Sequence, residues 1–320
     1  MTVLFVVFLL LLAVPALAQT PSRKPPGGTD VIPLPTLGGK QFWTDLQFFH
    51  QWRIQRHALT GECRLLDEHN VRHAWGTLKR CRRELEKIKR RKRLPPMQGE
   101  AVLVLHGLIR SRASMAGLCD HLEKQGGYQV FNVSYSSTRL DVASHAAALN
   151  NIMENLDGIE SISMVGHSMG NIVIRYYLGD TADRPDPRLK RIVMLAPPNQ
   201  GSLAALAFSE VNLFTALNGT PGLELGRDWD RLEPKLATPG CAFGILAGGR
   251  GDERGYNPLL PGDDDGTITV ETTRLSGAAD FLVLPAPHTF FMDHPKVKAC
   301  TLRFLKHGCF VSPEARRPIE

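Results

Sequence analysis

A chain of 320 residues with 43% hydrophobic and 22% charged residues has an ordinary globular composition, enough for one large α/β domain or a domain plus an appendage. The six cysteines show no Cys-x-x-Cys spacing, which argues against a structural zinc site. The formal net charge of +6 is concentrated in one run, and no aromatic residues interleave that run as a nucleic-acid stacking platform would need.

Residues 1–18, MTVLFVVFLLLLAVPALA, form an apolar run that ends in Ala16-Leu17-Ala18, the small-x-small pattern of a signal-peptide cleavage site. The expectation is export to a periplasmic or extracellular compartment, with Gln19 as the first mature residue. The run from Val3 to Leu12 is too short to span a bilayer unaided, so an uncleaved anchor is the lesser reading. Residues 19–39 are rich in Pro and Gly and read as an extended linker.

From Gln41 to Arg56, Phe42, Leu46, Phe49 and Trp52 recur at helical spacing and predict an amphipathic helix. Cys63 to Gly76 reads as a β-hairpin around Asp67-Glu68-His69-Asn70, and Thr77 as the cap of a helix through Arg91. Residues 40–95 therefore predict a small helix-hairpin-helix appendage, punctuated by Pro95 and Pro96. The basic run Lys79 to Arg93 can account for the whole charge excess. It reads either as a solvated helix end or as a peripheral contact with an anionic surface such as lipid headgroups. The six cysteines suit an oxidising compartment but allow about 15 full pairings, so the sequence leaves connectivity open; proximity favours Cys63 with Cys81 and Cys300 with Cys309, with Cys119 and Cys241 as buried thiols.

The main domain spans 96–310, followed by a tail, 311–320. The continuous apolar run Ala101–Leu105 predicts a strand buried on both faces, and Tyr128–Val133, Ile159–Val165, Leu189–Leu195, Cys241–Ala247 and Asp280–Leu284 read as further strands. Helical patterns at Ser114–Gln125, Val142–Leu156, Ile172–Leu178 and Pro295–Leu305 alternate with them. Such alternation predicts an α/β fold with a doubly wound, mostly parallel sheet.

The chemistry centres on Gly166-His167-Ser168-Met169-Gly170, placed between a strand and a helix. A serine on so sharp a turn is exposed at the carboxyl end of a strand, and the helix behind it aims backbone N–H groups at developing negative charge. A serine hydroxyl is a weak nucleophile that needs a base, itself oriented by a third group. His288, just past the last strand, is the candidate base. His294 and His307 have adequate structural roles near the ends of the final helix. The candidate acid is Asp265, because Gly266 permits a tight turn that presents the preceding side chain; Asp263 and Asp252 are the alternatives. A calcium site at Asp263 and Asp264 has only two acids to recommend it. The backbone amides of Leu108, after His106-Gly107, and of Met169 are the candidate oxyanion donors. His106 itself reads as a hydrogen-bonded structural histidine.

Val104-Leu105-His106-Gly107-Leu108, Gly166-His167-Ser168-Met169-Gly170, Asp265-Gly266 and His288 resemble, in that order, the motifs of α/β-hydrolases of the bacterial lipase and esterase type. The resemblance implies hydrolysis of carboxylic esters through a serine acyl-enzyme, with no cofactor. It leaves residues 40–95 without a counterpart. A segment at about 202–236, with Leu203, Leu206, Phe208, Leu213, Phe214, Leu217 and Trp229 among Gly and Pro, reads as an apolar cap favouring lipid-like esters. Thioester hydrolysis and acyl transfer would use the same triad. A non-catalytic binding protein would need neither Ser168 nor His288.

Overall fold

The computed structural model describes residues 41–202 and 220–320; the signal-peptide and linker expectations, and residues 203–219 of the cap segment, lie outside the described residues. The first described segment corrects an expectation. Instead of a helix over 41–56, strands β1 (Trp43–Phe49) and β2 (Trp52–His57) pair antiparallel. Asp45 faces Gln55 and Gln47 faces Ile54, so Leu46 is an extra residue in β1. Such a bulge interrupts the two-residue alternation of a strand and spaces its apolar side chains irregularly. The resulting interval imitates a helical period.

Strands β3 (Cys63–Leu66) and β4 (Arg72–Gly76) form the expected hairpin and complete a four-stranded sheet in the order β1-β2-β3-β4. Helix α1 (Leu78–Lys92) follows, with Thr77 Oγ1 accepting from the Arg80 amide at 3.2 Å. Cys81, Leu85 and Ile88, one stripe at helical spacing, are buried against the sheet. Lys89 to Lys92 occupy the last turn, where the helix dipole favours cations. All six cysteines are free thiols, so neither expected pairing forms. Cys63 and Cys81 instead pack as small apolar side chains in one core, and Cys309 is buried beyond the left-handed turn at Gly308 that ends the final helix.

The main sheet has six strands: β5 (Glu100–Leu105), β6 (Gln129–Val133), β7 (Ser161–His167), β8 (Leu189–Leu195), β9 (Ala242–Gly248) and β10 (Asp280–Leu284). Their order is β10-β9-β8-β7-β5-β6, and every neighbouring pair is parallel. The crossovers include helices α2 (Ala116–Gly126), α3 (Val142–Glu154) and α4 (Met169–Asp180), and α5 (Pro295–His307) follows β10. Alternate residues of β5 enter different cores, as strand geometry requires. Leu103 and Leu105 join a cluster with Leu149 and Ile152 of α3 and Ile172 of α4; Val102 and Val104 join one with Leu118 and Leu122 of α2 and Val297 and Phe304 of α5. Burying one such side chain contributes about 1.5–3 kcal/mol before entropy is counted.

The appendage shares the first of these cores. Phe48, Trp52, Ile54 and Leu85 belong to it, and the Phe48 ring lies 5.2 Å from that of Phe131 in β6. At the other edge, the chain beyond α5 turns back on β10. The Phe310 and Arg317 amides donate to the buried Asp280 carboxylate at 2.7 and 3.0 Å, and Ile319 exchanges backbone hydrogen bonds with Gly277 and Ala278. Of the segment expected as a cap, the described part buries Leu225 and Leu232 in the core. No helix of the described residues is long and apolar enough to cross a membrane.

Candidate active site

Ser168 stands between β7 and α4 with φ 54° and ψ −126°, a left-handed conformation that side-chain-bearing residues rarely adopt. The surroundings hold it there. Its amide donates to the Leu195 carbonyl at 2.9 Å, and Asn171 Nδ2 donates to the carbonyls of Ser168 and Leu195 at 3.1 and 3.2 Å. The flanking glycines are needed for close approach. A Cβ at Gly166 would lie 2.4 Å from Asn171 Oδ1, and one at Gly170 would lie 2.8 Å from the carbonyl oxygens of Leu105 and His106. The second contact is with backbone, which cannot rotate away.

His288 follows β10 through Pro285-Ala286-Pro287. Its Nε2 lies 3.0 Å from Ser168 Oγ and its Nδ1 2.6 Å from Asp265 Oδ2. An ionised carboxylate can only accept, so Nδ1 carries the proton and Nε2 is left to accept from the serine hydroxyl. Asp265 is 1% exposed. Its Oδ1 accepts from the amides of Thr267 and Ile268 at 3.0 and 2.7 Å, and its carbonyl accepts from the His288 amide at 2.8 Å. The two loops are thereby sewn together. Gly266, at φ 97°, makes the turn that follows the acid.

The other candidate acids have different partners. Asp263 accepts from the amides of Arg250 and Gly251, Asp264 Oδ1 from those of Asn257 and Gly266, and Asp252 from those of Arg254 and Gly255. Each organises its loop and none meets His288. His294 precedes α5 as its cap residue, and His307 is in that helix's last turn. Among the described residues no group of three His, Cys, Asp or Glu side chains could hold a metal ion.

Gly107 brings the loop after β5 against the serine: a Cβ there would lie 3.0 Å from Ser168 Cβ. Leu108 comes next in the chain, and Met169 opens α4. Neither of their amides donates to a group among the described residues. His106 is fully buried, with its ring stacked on Tyr135 at 4.1 Å and Nδ1 donating to the Gly107 carbonyl at 2.8 Å. Burial pushes its pKa down to about 4, so it is a neutral structural imidazole.

Two further residues carry the site without having drawn notice in the sequence. Asn171 clamps the serine turn, and its only sequence signal is its place three residues after Ser168. His167 is buried with its ring 4.8 Å from that of His288, and Nε2 donates to the His288 carbonyl at 3.2 Å. Burial, with the neighbouring His288 second, holds His167 well below the usual imidazole range. Four exposed apolar residues lie on the same loops: Ile109 after Leu108, Tyr256 and Leu259 before Asp265, and Phe290 after His288.

The sequence model of the α/β hydrolase fold family matches residues 100–222, from β5 through the serine turn and past β8. No curated protein matches the chain. Among solved structures, the product of gene lin2722 from Listeria innocua is 17% identical, with 66% of this chain and 95% of that one covered and a TM-score of 0.46. The mature lipase BlEst2 of Bacillus licheniformis is 19% identical, with 66% and 91% covered and a TM-score of 0.44. The metagenomic carboxyl esterase MGS0156 is 20% identical, with 60% and 65% covered and a TM-score of 0.46. Likenesses at this level carry no inference about activity. The family match, and a parallel sheet that continues in order through β9 and β10, show the α/β-hydrolase fold in the main domain.

Proposed function

We propose that the chain is an exported serine hydrolase that cleaves carboxylic esters of apolar acyl groups. The observation that carries this reading is the unbroken relay from the buried Asp265 carboxylate through His288 to Ser168 Oγ, with links of 2.6 and 3.0 Å, on a strained turn whose glycines clear the way. Ser168 Oγ attacks the ester carbonyl carbon as its proton moves to His288 Nε2. The negative oxygen of the tetrahedral intermediate is received by the amides of Leu108 and Met169. The intermediate collapses as His288 returns the proton to the leaving alcohol, and water, activated by the same imidazole, releases the acid. Asp265 stays ionised throughout and stabilises the imidazolium.

The exposed side chains of Ile109, Tyr256, Leu259 and Phe290 support an apolar acyl group, since they put hydrophobic surface on the loops that carry the reacting groups. Export rests on the apolar run and Ala16-Leu17-Ala18 pattern. N-terminal sequencing of the secreted protein should begin at Gln19.

Hydrolysis of p-nitrophenyl esters of short and long acyl chains by the wild type and by Ser168→Ala tests the reading. The wild type should release nitrophenol, and the variant should lose about 10⁴- to 10⁶-fold in kcat. No release by the wild type above the variant, together with no labelling of Ser168 by a fluorophosphonate, would sink it. Product analysis with added alcohols or thiols separates hydrolysis from acyl transfer.

A further inference from the structure

Gln41, the residue with which the described structure begins, touches the loop that carries Leu108. Its Nε2 donates to the carbonyls of Ile109 and Arg110 at 3.1 and 2.7 Å, and its Oε1 accepts from Ser137 Oγ and Thr138 Oγ1 at 3.1 and 3.4 Å. One carboxamide thus ties the loop after β5 to the loop after β6. Ile109 is β-branched and sits at φ 59°, a left-handed conformation that such residues adopt only when the surroundings impose it. From the other side the Arg110 guanidinium donates to the carbonyl of Thr289, next to His288. The loop is held between the appendage and the histidine loop.

We propose that Gln41 is a positioning residue for the oxyanion hole: it holds Ile109 in its left-handed conformation, and the Leu108 amide one residue earlier is thereby kept aimed at the space beside Ser168 Oγ. The proposal rests on the ester-hydrolase reading. It gives the appendage a part in that reaction, because an oxyanion donor lowers the barrier only if it is already oriented when charge develops. The appendage is anchored elsewhere, by Phe48 against Phe131 and by Asp45 and Thr44 against Ser134 and Ser136, so the Gln41 amide is not what keeps it attached.

Gln41→Ala and the near-isosteric Gln41→Glu should each lower kcat for a p-nitrophenyl ester by about 10- to 100-fold, as misplacing one preorganised group does, with KM within about twofold of the wild type. Affinity for a trifluoromethyl ketone, which forms a tetrahedral adduct, should fall in step with kcat/KM. Ile109→Gly in the Gln41→Ala background should restore part of the lost kcat, since glycine adopts positive φ without strain. If kcat of Gln41→Glu stays within twofold of the wild type, or if KM and ketone affinity weaken equally while kcat holds, Gln41 has no such role. Inactivity of the wild type would instead condemn the hydrolase reading itself, so the two failures are distinct.

The outward face of α1 carries an independent inference. Lys79, Arg80, Arg83, Arg90 and Arg91 are exposed, and none forms an ion pair among the described residues. The nearest aromatic rings are already covered, Phe49 by Lys89 at 4.1 Å and Trp52 by Lys92 at 5.2 Å, which leaves them unavailable for base stacking. We infer that this face docks on an anionic lipid surface, whose dense headgroup charge complements a helix side on which the cations outnumber Glu84 and Glu86 and those two are already paired with Lys87 and Lys89. Co-sedimentation of the full chain with phosphatidylserine-containing vesicles should show binding that weakens from 20 to 500 mM salt, on the order expected from screening. The variant Lys79→Glu/Arg83→Glu/Arg90→Glu should lose it while keeping esterase activity. Equal binding to phosphatidylcholine vesicles, binding insensitive to salt or to the triple variant, or retention on heparin without vesicle binding would each overturn the inference.

Discussion

The two sheets of the molecule solve burial in different ways. The six-stranded parallel sheet buries mainly apolar side chains, and His106, His167 and Ser168 lie buried at the carboxyl ends of its strands. The four-stranded antiparallel sheet buries Thr44, Asp45, Gln47, Arg53, Gln55 and Arg64 within its strands. Several of these form a chain. Arg64 donates from Nε and Nη2 to Gln55 Oε1 at 2.9 and 2.7 Å, Gln55 Nε2 donates to Asp45 Oδ1 at 2.8 Å, and the Ser134 amide beyond β6 donates to Asp45 Oδ2 at 2.6 Å. The guanidinium also lies 3.8 Å over the Trp43 ring. Burial raises the Asp45 pKa to about 6 and lowers that of Arg64 to about 10. Apolar faces can slide against one another, whereas directional bonds of this kind fix one orientation. The main sheet therefore supplies the cohesion of the fold, and the appendage docks through groups that specify where it sits.

That contrast can be tested at the rim of the main sheet first. Asp265→Asn should cost about 10⁴-fold in kcat, because an amide no longer imposes the Nδ1–H tautomer on His288, whereas Asp263→Asn should stay within about tenfold. Steady-state kinetics on one p-nitrophenyl ester compares them, and a greater loss in Asp263→Asn would reverse the assignment of the acid. Gly170→Ala should lose about 1–3 kcal/mol in urea unfolding, since its methyl group meets two backbone carbonyls. Asp45→Ala strips the Ser134 amide and the Gln55 side chain of a buried partner, and should also cost about 1–3 kcal/mol. If the appendage docked by apolar burial alone, this substitution would be nearly neutral.

The smallest effect concerns pH, where the two regions should oppose each other. In the main domain, burial pushes His106 down to about 4 and His145 down to about 3, from an ordinary 6.5. His145 is disfavoured further by His106 and supported by Asp141, and His106 is disfavoured by Arg110. The unfolded chain binds these protons more readily, so their contribution is present above pH 6.5 and is lost as pH falls towards 4. Asp45 has the opposite sign. Its folded pKa of about 6 exceeds the ordinary 3.8, so its contribution is full below pH 3.8 and is lost as pH rises towards 6. Melting temperatures of the wild type should therefore fall on acidification from pH 7 to 4.5, and Asp45→Asn should fall more steeply. An equal or shallower slope in the variant would show that Asp45 titrates as an ordinary carboxyl.

The same contrast decided what the sequence could reveal. Leu189–Leu195 and Asp280–Leu284 are strands at the bounds read from the sequence, because the apolar residues of a parallel strand stand out against the polar loops on either side. Ser168 and His288 drew notice because each comes a few residues after the apolar run of such a strand. Residues 41–56 were misread because the bulge at Leu46 breaks the alternation that identifies a strand, and because half-polar strands such as β1 leave no apolar record. Among three adjacent aspartates, only Gly266 pointed to Asp265; the deciding bonds come from backbone amides, which have no residue code. Gln41 was beyond reach, since its partners lie 68 to 97 residues away and no motif surrounds it.

The chain beyond α5 is bonded to the Asp280 carboxylate and to the backbone of Gly277 and Ala278, and so ties down the entry to β10, which is an end strand of the main sheet. An open strand there would present a row of unmatched donors and acceptors to other molecules. The segment beyond α5 pins the point at which the chain enters that open edge. Its removal should be felt in the protein's behaviour at high concentration, as strand-mediated oligomers or precipitate, well before it is felt at Ser168.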